Sequence, residues 1–129
     1  MSIARHLTVQ ILVVAAITVP AAAWAEDFRI QAQLLYDTVS ARGDFEALGP
    51  PKLSIVAFRH TPAGVEDVGV HNERLAEAIQ ADGRVWMSSA LIDDEVWLRP
   101  CFVNFRTTEE DVLDVVEIAA EIGERLPAG

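Results

Sequence analysis

The alternation of apolar and polar positions is clearest in the C-terminal half of the chain. Arg84–Leu91 is rich in β-branched, aromatic and small residues, Asp93-Asp94 is polar, and Glu95–Val103 alternates charged or polar with apolar side chains. This pattern predicts a β-hairpin that reverses at the two aspartates. Trp97 and Leu98 would point to opposite faces of the second strand, so we expect both faces to be covered at least in part.

The period changes after the hairpin. Thr107–Glu110 fits a capping box, in which a threonine oxygen accepts a backbone N–H three residues on and a glutamate reaches back. The helix predicted from there has acids near the positive end of its dipole. Its apolar positions recur at helical spacing: Val112, Val115, Val116, Ala119, Ala120 and Ile122.

The preceding segments are shorter and less regular. Asp27–Ala41 predicts a first helix, which Gly43 would end. The positions at near-helical spacing are Phe28, Ile30, Leu34, Leu35, Thr38 and Val39. Phe45–Pro51 is interpreted as a connector because of its prolines, and Leu53–Phe58 as a buried strand.

A second helix is expected after the loop Thr61–Gly69. Asn72 is the predicted N-cap of Glu73–Ala81, with Leu75, Ala76 and Ile79 facing inward, and Asp82-Gly83 closes the helix. The predicted order is helix, strand, helix, strand, strand, helix. This order predicts an α+β fold, with helices packed on a small, mainly antiparallel sheet.

Residues 1–25 differ from the rest. Arg5 and His6 precede the apolar run Leu7–Ala23, and the residues before Glu26 match a secretory cleavage site. We expect cleavage after Ala25 and no stable membrane anchor if this segment acts as a signal peptide.

Composition narrows the function classes. A hydrophobic fraction of 51% in 129 residues indicates one globular unit, here assigned to residues 26–129, and a net charge of −10 argues against nucleic-acid binding. Cys101 is the single cysteine, so neither a disulfide framework nor a cysteine-rich metal site can form within the chain.

Three segments resemble one known family. Leu98–Asp111, Phe45-Glu46 with Pro51–Arg59, and Asn72–Gly83 are similar in order and spacing to the group II pyridoxal-phosphate-dependent decarboxylases, which act on aromatic amino acids and glutamate. The resemblance covers residues 28–126. It implies the small C-terminal domain of a fold-type I enzyme, from a homodimeric cytoplasmic carboxy-lyase of amino-acid metabolism.

Most of the chemistry of that family has no counterpart here. Pyridoxal phosphate needs a lysine for its Schiff base, an acid at the pyridine nitrogen and donors for the phosphate. Lys52 is the single lysine, it lies at a strand entrance, and no glycine-rich loop precedes a helix. We therefore expect no catalytic residue and no cofactor binding in this chain alone, with the cofactor site on a missing large domain.

Arg99 is the one residue that the resemblance marks as functional. In the resembling enzymes an arginine at the matching position is implicated in contacting the substrate carboxylate, which a guanidinium fork suits. The alternative is an internal salt bridge to one of the many acids.

The remaining candidates have structural interpretations. His60 and His71 flank the central loop and are expected in solvent, since no cluster at ligand spacing accompanies them. Trp86, Met87 and Trp97 are expected in the core or at a domain interface. Ser88-Ser89 lack a nucleophile turn and should pack or hydrogen-bond locally.

Two origins are compatible with these observations. The chain is either a gene fragment of a decarboxylase, whose first residues come from an internal or shifted start, or an exported, non-enzymatic α+β binding module. The fragment is the preferred hypothesis, because the resembling family is cytoplasmic and its small domain follows a large catalytic one.

Overall fold

The fold was obtained as a computed structural model that describes residues 21–52, 55–100 and 106–127, with the backbone alone for residues 21–25. This part of the chain forms three helices and four strands, which confirms the predicted α+β class. The helices are α1 (Ala21–Ser40), α2 (Val68–Asp82) and α3 (Glu109–Arg125). The strands are β1 (Phe45–Ala47), β2 (Phe58–His60), β3 (Ser88–Ile92) and β4 (Glu95–Arg99).

The four described strands form one sheet in the order β1-β2-β4-β3, and every neighbouring pair is antiparallel. The predicted hairpin is β3–β4, paired from Ser88↔Arg99 to Ile92↔Glu95. Asp93 and Asp94 form its turn with φ of 50° and 64°. Two successive left-handed residues give a turn whose twist matches that of antiparallel strands. Residues 101–105, at the predicted end of the second arm, lie outside the described part.

The helices pack together and on the sheet around one apolar core. Apolar side chains from α1, α2, α3, the two central strands and the segment before β2 meet there with almost no exposed surface. They include Leu35, Val39, Val56, Phe58, Leu75, Ile79, Leu98, Val112 and Val116.

The amphipathic helix α3 is confirmed, but its cap differs from the one predicted. Thr108 is the N-cap: its hydroxyl accepts from the Asp111 N–H at 3.1 Å, and the Asp111 carboxylate accepts from the Thr108 N–H at 2.9 Å. The box is therefore closed by an aspartate and not by a glutamate. Five of the six predicted inward positions are buried, while Val115 is half-buried.

The segment interpreted as a connector contains a strand, which the prediction missed. β1 pairs with β2 from Phe45↔His60 to Ala47↔Phe58. The Phe45 ring lies edge-on to Phe58 at 5.6 Å, and this burial favours a strand despite the prolines that follow.

Of the strand predicted over Leu53–Phe58, the described residues Ile55, Val56 and Ala57 lie outside any strand, and Phe58 alone belongs to one. β2 begins at Phe58, and upstream of it Lys52 and Ile55 form an isolated bridge. Leu53 and Ser54 lie outside the described residues.

The N-terminus of α2 was also predicted wrongly. Asp67 is the N-cap, and its carboxylate accepts from the Val70 N–H at 3.0 Å. Asn72 is therefore inside the helix rather than at its cap. The end of the helix is confirmed, since Gly83 adopts φ 82° and donates its N–H to the Ile79 carbonyl.

α1 is confirmed as a helix, and Leu35 and Val39 of its predicted apolar face are buried in the core. Ile30 is 49% exposed, whereas Gln31 and Ala32 are buried. The expected cleavage point after Ala25 lies within the helical backbone, and residues 1–20 of the predicted signal segment lie outside the described part. Within that part, no helix combines the length and hydropathy needed to span a membrane.

Candidate functional site

Two histidines that were predicted to lie in solvent-exposed loops instead contact each other in the interior. His60 is 0% and His71 4% exposed, and His60 Nδ1 lies 2.9 Å from His71 Nε2. The prediction was wrong because β2 extends to His60 and α2 begins at Val68, which turns His71 toward the sheet. We call these two residues the histidine pair.

Asn72 joins α2 to the end of β2. Its amide oxygen accepts from the His60 N–H at 2.8 Å, and its amide nitrogen donates to the His60 carbonyl at 2.9 Å and to the Val68 carbonyl at 2.8 Å. Both backbone polar groups of a buried strand residue are thereby paired. Sequence reasoning missed this role, since nothing local marks an asparagine in a helical turn as the partner of a distant strand.

The proton positions of the histidine pair follow from its surroundings. Neither His60 Nε2 nor His71 Nδ1 has a hydrogen-bond partner among the described residues, but the Asp44 carboxylate lies 3.8 Å from His60 Nε2. We assign a proton to Nε2 of each ring, because a His60 N–H then faces the carboxylate and His71 donates to His60 Nδ1.

Burial keeps both rings neutral. Desolvation, aided by His71 and Arg42 and opposed by Asp44, lowers the pKa of His60 to about 4. Desolvation and the nearby Arg74 lower the pKa of His71. Both imidazole rings are therefore uncharged at neutral pH.

Asp44 does little to stabilise a charged His60, because it is already engaged. The Arg42 guanidinium donates two hydrogen bonds of 2.9 Å to its carboxylate. These bonds hold the pKa of Asp44 below its usual range. Arg42 also bonds to Glu117 of α3 at 2.8 Å.

The third element at the histidine pair is α3, which approaches through Gly123. A Cβ atom built on this glycine would lie 2.4 Å from His60 Nδ1 and 2.7 Å from its Cε1. Only a residue without a side chain permits this distance between helix and ring.

The chemistry available to the histidine pair is limited by its burial. The two residues have almost no solvent-exposed surface, so neither ring can contact an external substrate in this conformation. Within the described residues there is no group of three side chains suited to hold a metal ion. The pair is therefore a structural element that carries two titratable groups.

Arg99 lies apart from the histidine pair, exposed at the end of β4. The Ser88 hydroxyl donates to its backbone carbonyl at 3.1 Å, which is the local role expected for that serine. None of the carboxylates in the described part forms an ion pair with Arg99. By contrast, Arg59 binds Glu46 and Glu95 at 2.8 and 3.1 Å.

The aromatic residues of the hairpin separate into two groups. Met87 and Trp97 are buried, as predicted, and the Arg59 guanidinium lies 4.5 Å from the Trp97 ring centroid. Because Leu98 is buried on the opposite face, β4 is covered on both sides, also as predicted. Trp86 is 80% and Leu91 69% exposed, so these two large apolar side chains are available to a partner.

The described residues do not fit pyridoxal phosphate. Lys52 is exposed, in a bridge of two residues. The N-terminus of α2 is closed by the Asp67 carboxylate, and the first turn of α3 holds Glu109, Glu110 and Asp111. Acids at these positions would repel a phosphate.

Comparison with solved structures shows that the fold of this chain matches part of several much longer chains. The glutamate decarboxylase domain of a Vibrio parahaemolyticus transaminase–decarboxylase matches with a TM-score of 0.74 at 21% identity, over 81% of this chain and 22% of that one. Catharanthus roseus tryptophan decarboxylase matches with a TM-score of 0.71 at 24% identity, over 81% of this chain and 22% of that one. Oryza sativa TDC, solved with PLP and tryptamine, matches with 0.69 at 20% identity, over 79% and 22%.

The sequence itself is similar to that of a curated decarboxylase. It is 32% identical over 76 residues to the aromatic-L-amino-acid decarboxylase of Bacillus atrophaeus, which is 57% of this chain and 16% of that protein. No family model matches. The resemblance to group II pyridoxal-phosphate-dependent decarboxylases is thus confirmed. The chain spans about a sixth of that relative and about a fifth of the solved chains.

Replacing Gly123 with alanine tests the contact between α3 and the histidine pair. Helix propensity favours alanine by ~1 kcal/mol, but overpacking a rigid buried site costs about 3 kcal/mol. We expect Gly123→Ala to lower the free energy of unfolding by about 2 kcal/mol in urea denaturation. Gly43→Ala is the matched control, because a Cβ there meets no atom within 4 Å. Equal stability of the two variants would contradict the close approach.

Proposed function

We propose that residues 26–129 serve as the small domain of a pyridoxal-phosphate-dependent amino-acid decarboxylase, a carboxy-lyase, and are catalytically incomplete alone. The supporting observation is a match of fold over about four-fifths of this chain, combined with sequence identity above 30% to one decarboxylase. The catalytic lysine and phosphate site belong, in this proposal, to a large domain outside these 129 residues. The complete enzyme is a cytoplasmic homodimer.

Arg99 is the residue we assign to substrate binding. Its exposure leaves the guanidinium accessible, and no described carboxylate neutralises it. Its backbone is fixed by pairing with Ser88 and by the hydrogen bond from that serine. A guanidinium on a rigid strand end is suited to bind the carboxylate of an amino acid in two parallel hydrogen bonds.

The large domain is proposed to cover the exposed apolar surface of the hairpin. Trp86 precedes β3 and Leu91 lies within it, and β3 is the last strand of the described sheet. Aromatic and aliphatic side chains exposed to this degree are typical of interfaces.

A chimeric enzyme tests the function and the role of Arg99 together. The matching segment of the Bacillus atrophaeus decarboxylase is replaced by residues 26–129, and decarboxylation of an aromatic L-amino acid is measured. We expect activity, and we expect Arg99→Gln to raise KM about 30-fold with a smaller change in kcat, because a charged hydrogen bond of ~2 kcal/mol is lost.

Arg125→Gln is the matched control for this experiment. Arg125 is also exposed, but it forms an ion pair with Glu121 of its own helix. A folded, cofactor-loaded chimera without activity would contradict the proposed function. A KM for Arg99→Gln equal to that of Arg125→Gln would contradict the substrate role of Arg99 while leaving the domain assignment intact.

Catalytic incompleteness predicts the response of the isolated chain to pyridoxal phosphate. We expect neither a stoichiometric aldimine absorbance band nor a specific adduct after borohydride reduction and peptide mapping, since Lys52 is exposed and lies in an isolated bridge. Lys52→Arg provides the baseline for non-specific reaction. A stoichiometric adduct at Lys52 that is absent from Lys52→Arg would show an unexpected cofactor site.

The uncovered hairpin predicts self-association of the isolated chain. Sedimentation velocity should show concentration-dependent association, which the double variant Trp86→Ser/Leu91→Ser reduces by removing the exposed apolar surface. Leu48→Ser is the control, because Leu48 is 49% exposed but lies outside the hairpin. The interface assignment fails if Leu48→Ser reduces association as much as the double variant.

A further inference from the structure

We propose that the histidine pair is a proton-sensitive switch that holds α3 against β2 and α2 when both rings are neutral and releases α3 when the pair binds a proton. This inference concerns residues of this chain alone and does not depend on the proposed function. The switch lies where three elements meet: His60 ends β2, His71 belongs to the first turns of α2, and Gly123 brings the backbone of α3 against the His60 ring.

The contact between the rings requires an unprotonated nitrogen. His60 Nδ1 accepts from His71 Nε2 at 2.9 Å in the neutral pair. A proton added to His60 Nδ1 places two N–H groups face to face at that distance. A proton added to His71 Nδ1 keeps the hydrogen bond but leaves a buried cation, since no described group accepts from that atom.

The charges around the histidine pair do not compensate for a proton. From the segment before β1, Asp44 lies 3.8 Å from His60 Nε2, but Arg42 holds its carboxylate with two hydrogen bonds. Arg42 and, on α2, Arg74 both disfavour further positive charge. The contact from α3 is the uncharged backbone of Gly123.

The direction of the pH effect follows from the histidine pKa values. The pKa of His60 in the fold is about 4, below its ordinary value of 6.5, and the pKa of His71 is also lowered. The open form therefore binds more protons below pH 6.5, so the closed form is fully favoured above that pH and weakens as the pH falls toward 4. Asp44 does not share this window, because its lowered pKa delays its protonation to more acidic pH.

The opening is expected to be local to α3. Beyond its packing, the ion pairs that join α3 to other elements include Arg42–Glu117 and Arg84–Glu121, in which both glutamates are exposed. Exposed ion pairs add little to stability. The β3–β4 hairpin is held by the antiparallel pairing of its own two strands, in which neither histidine takes part.

Hydrogen exchange with mass spectrometry on the full chain tests the switch. Exchange at pH 7.0 and 5.0 is corrected for intrinsic rates, and peptides of α3 are compared with peptides of β3–β4. A histidine that is neutral in the closed form raises the equilibrium constant for opening about tenfold for each pH unit below 6.5, hence about 30-fold at pH 5.0. We expect α3 to lose about 30-fold or more of its protection, and the hairpin less than about threefold.

His71→Gln removes one titratable group and keeps a donor that can reach His60 Nδ1. We expect the pH-dependent loss in α3 to be smaller in this variant, at most the roughly 30-fold that His60 alone contributes. Glu73→Gln is the matched control: it removes an exposed acid two residues away, and the full pH dependence should remain.

Three results would overturn the switch. These are equal protection of α3 at both pH values, parallel loss in α3 and the hairpin, and a folded His71→Gln with the wild-type pH dependence. If His71→Gln does not fold, the comparison of α3 with the hairpin in the wild-type chain decides the question.

Discussion

The fold depends on how the last residue of β2 satisfies its backbone in a dry interior. His60 pairs with Phe45 of β1 on one side, and the amide of Asn72 binds its N–H and carbonyl on the other. A buried peptide group without such partners would cost a few kcal/mol, about as much as several apolar contacts contribute. Asn72 therefore fixes the rotation of α2, and that rotation places His71 beside His60 and directs Leu75 and Ile79 into the core.

The position of α3 follows from the same place. Val112 and Val116 pack in the core near the start of the helix, and near its end Gly123 lies directly on the His60 ring. A close helix–ring contact excludes water from the rings, and exclusion of water is what lowers the histidine pKa values. The position of α3 therefore determines both the packing around His60 and its affinity for a proton, because closer contact with α3 makes the charged ring less favourable.

Local signals in the sequence were enough to predict the hairpin, the amphipathic helix α3 and the end of α2. Each of these features depends on residues close in sequence. Asp93-Asp94 can adopt the left-handed turn, and Gly83 ends α2. Thr108 and Asp111 exchange side-chain to backbone hydrogen bonds within one helical turn. β1 escaped prediction because three residues carry no period, and its stability comes from Phe45 packing on a strand thirteen residues away.

The candidate site divides in the same way. Arg99 was selected through a family resemblance, its role stays a prediction, and it lies exposed at the end of a predicted strand. The histidine pair was placed in solvent because its burial depends on contacts between β2, α2 and α3 that no local pattern encodes. A histidine in a polar loop and a histidine at a strand end look alike in sequence until the strand boundary is known.

The histidine pair and Arg99 lie on opposite faces of the sheet, so the proposed switch and the proposed substrate site are physically separate. On the helix-covered face, Phe58 and Leu98 are buried with the neutral His60. On the other face, Arg59 lies over Trp97 and is neutralised by Glu46 and Glu95, so its charge is used within the fold. Alternation along β4 places Arg99 on the same side as Trp97, two residues further on.

Because no described carboxylate neutralises Arg99, its guanidinium is available to a ligand on a chain whose net charge is −10. Substrate binding at that face would leave the histidine pair untouched, since the sheet itself lies between them. Protonation of the pair would act on the position of α3 and not on the rigid β3–β4 hairpin that carries Arg99.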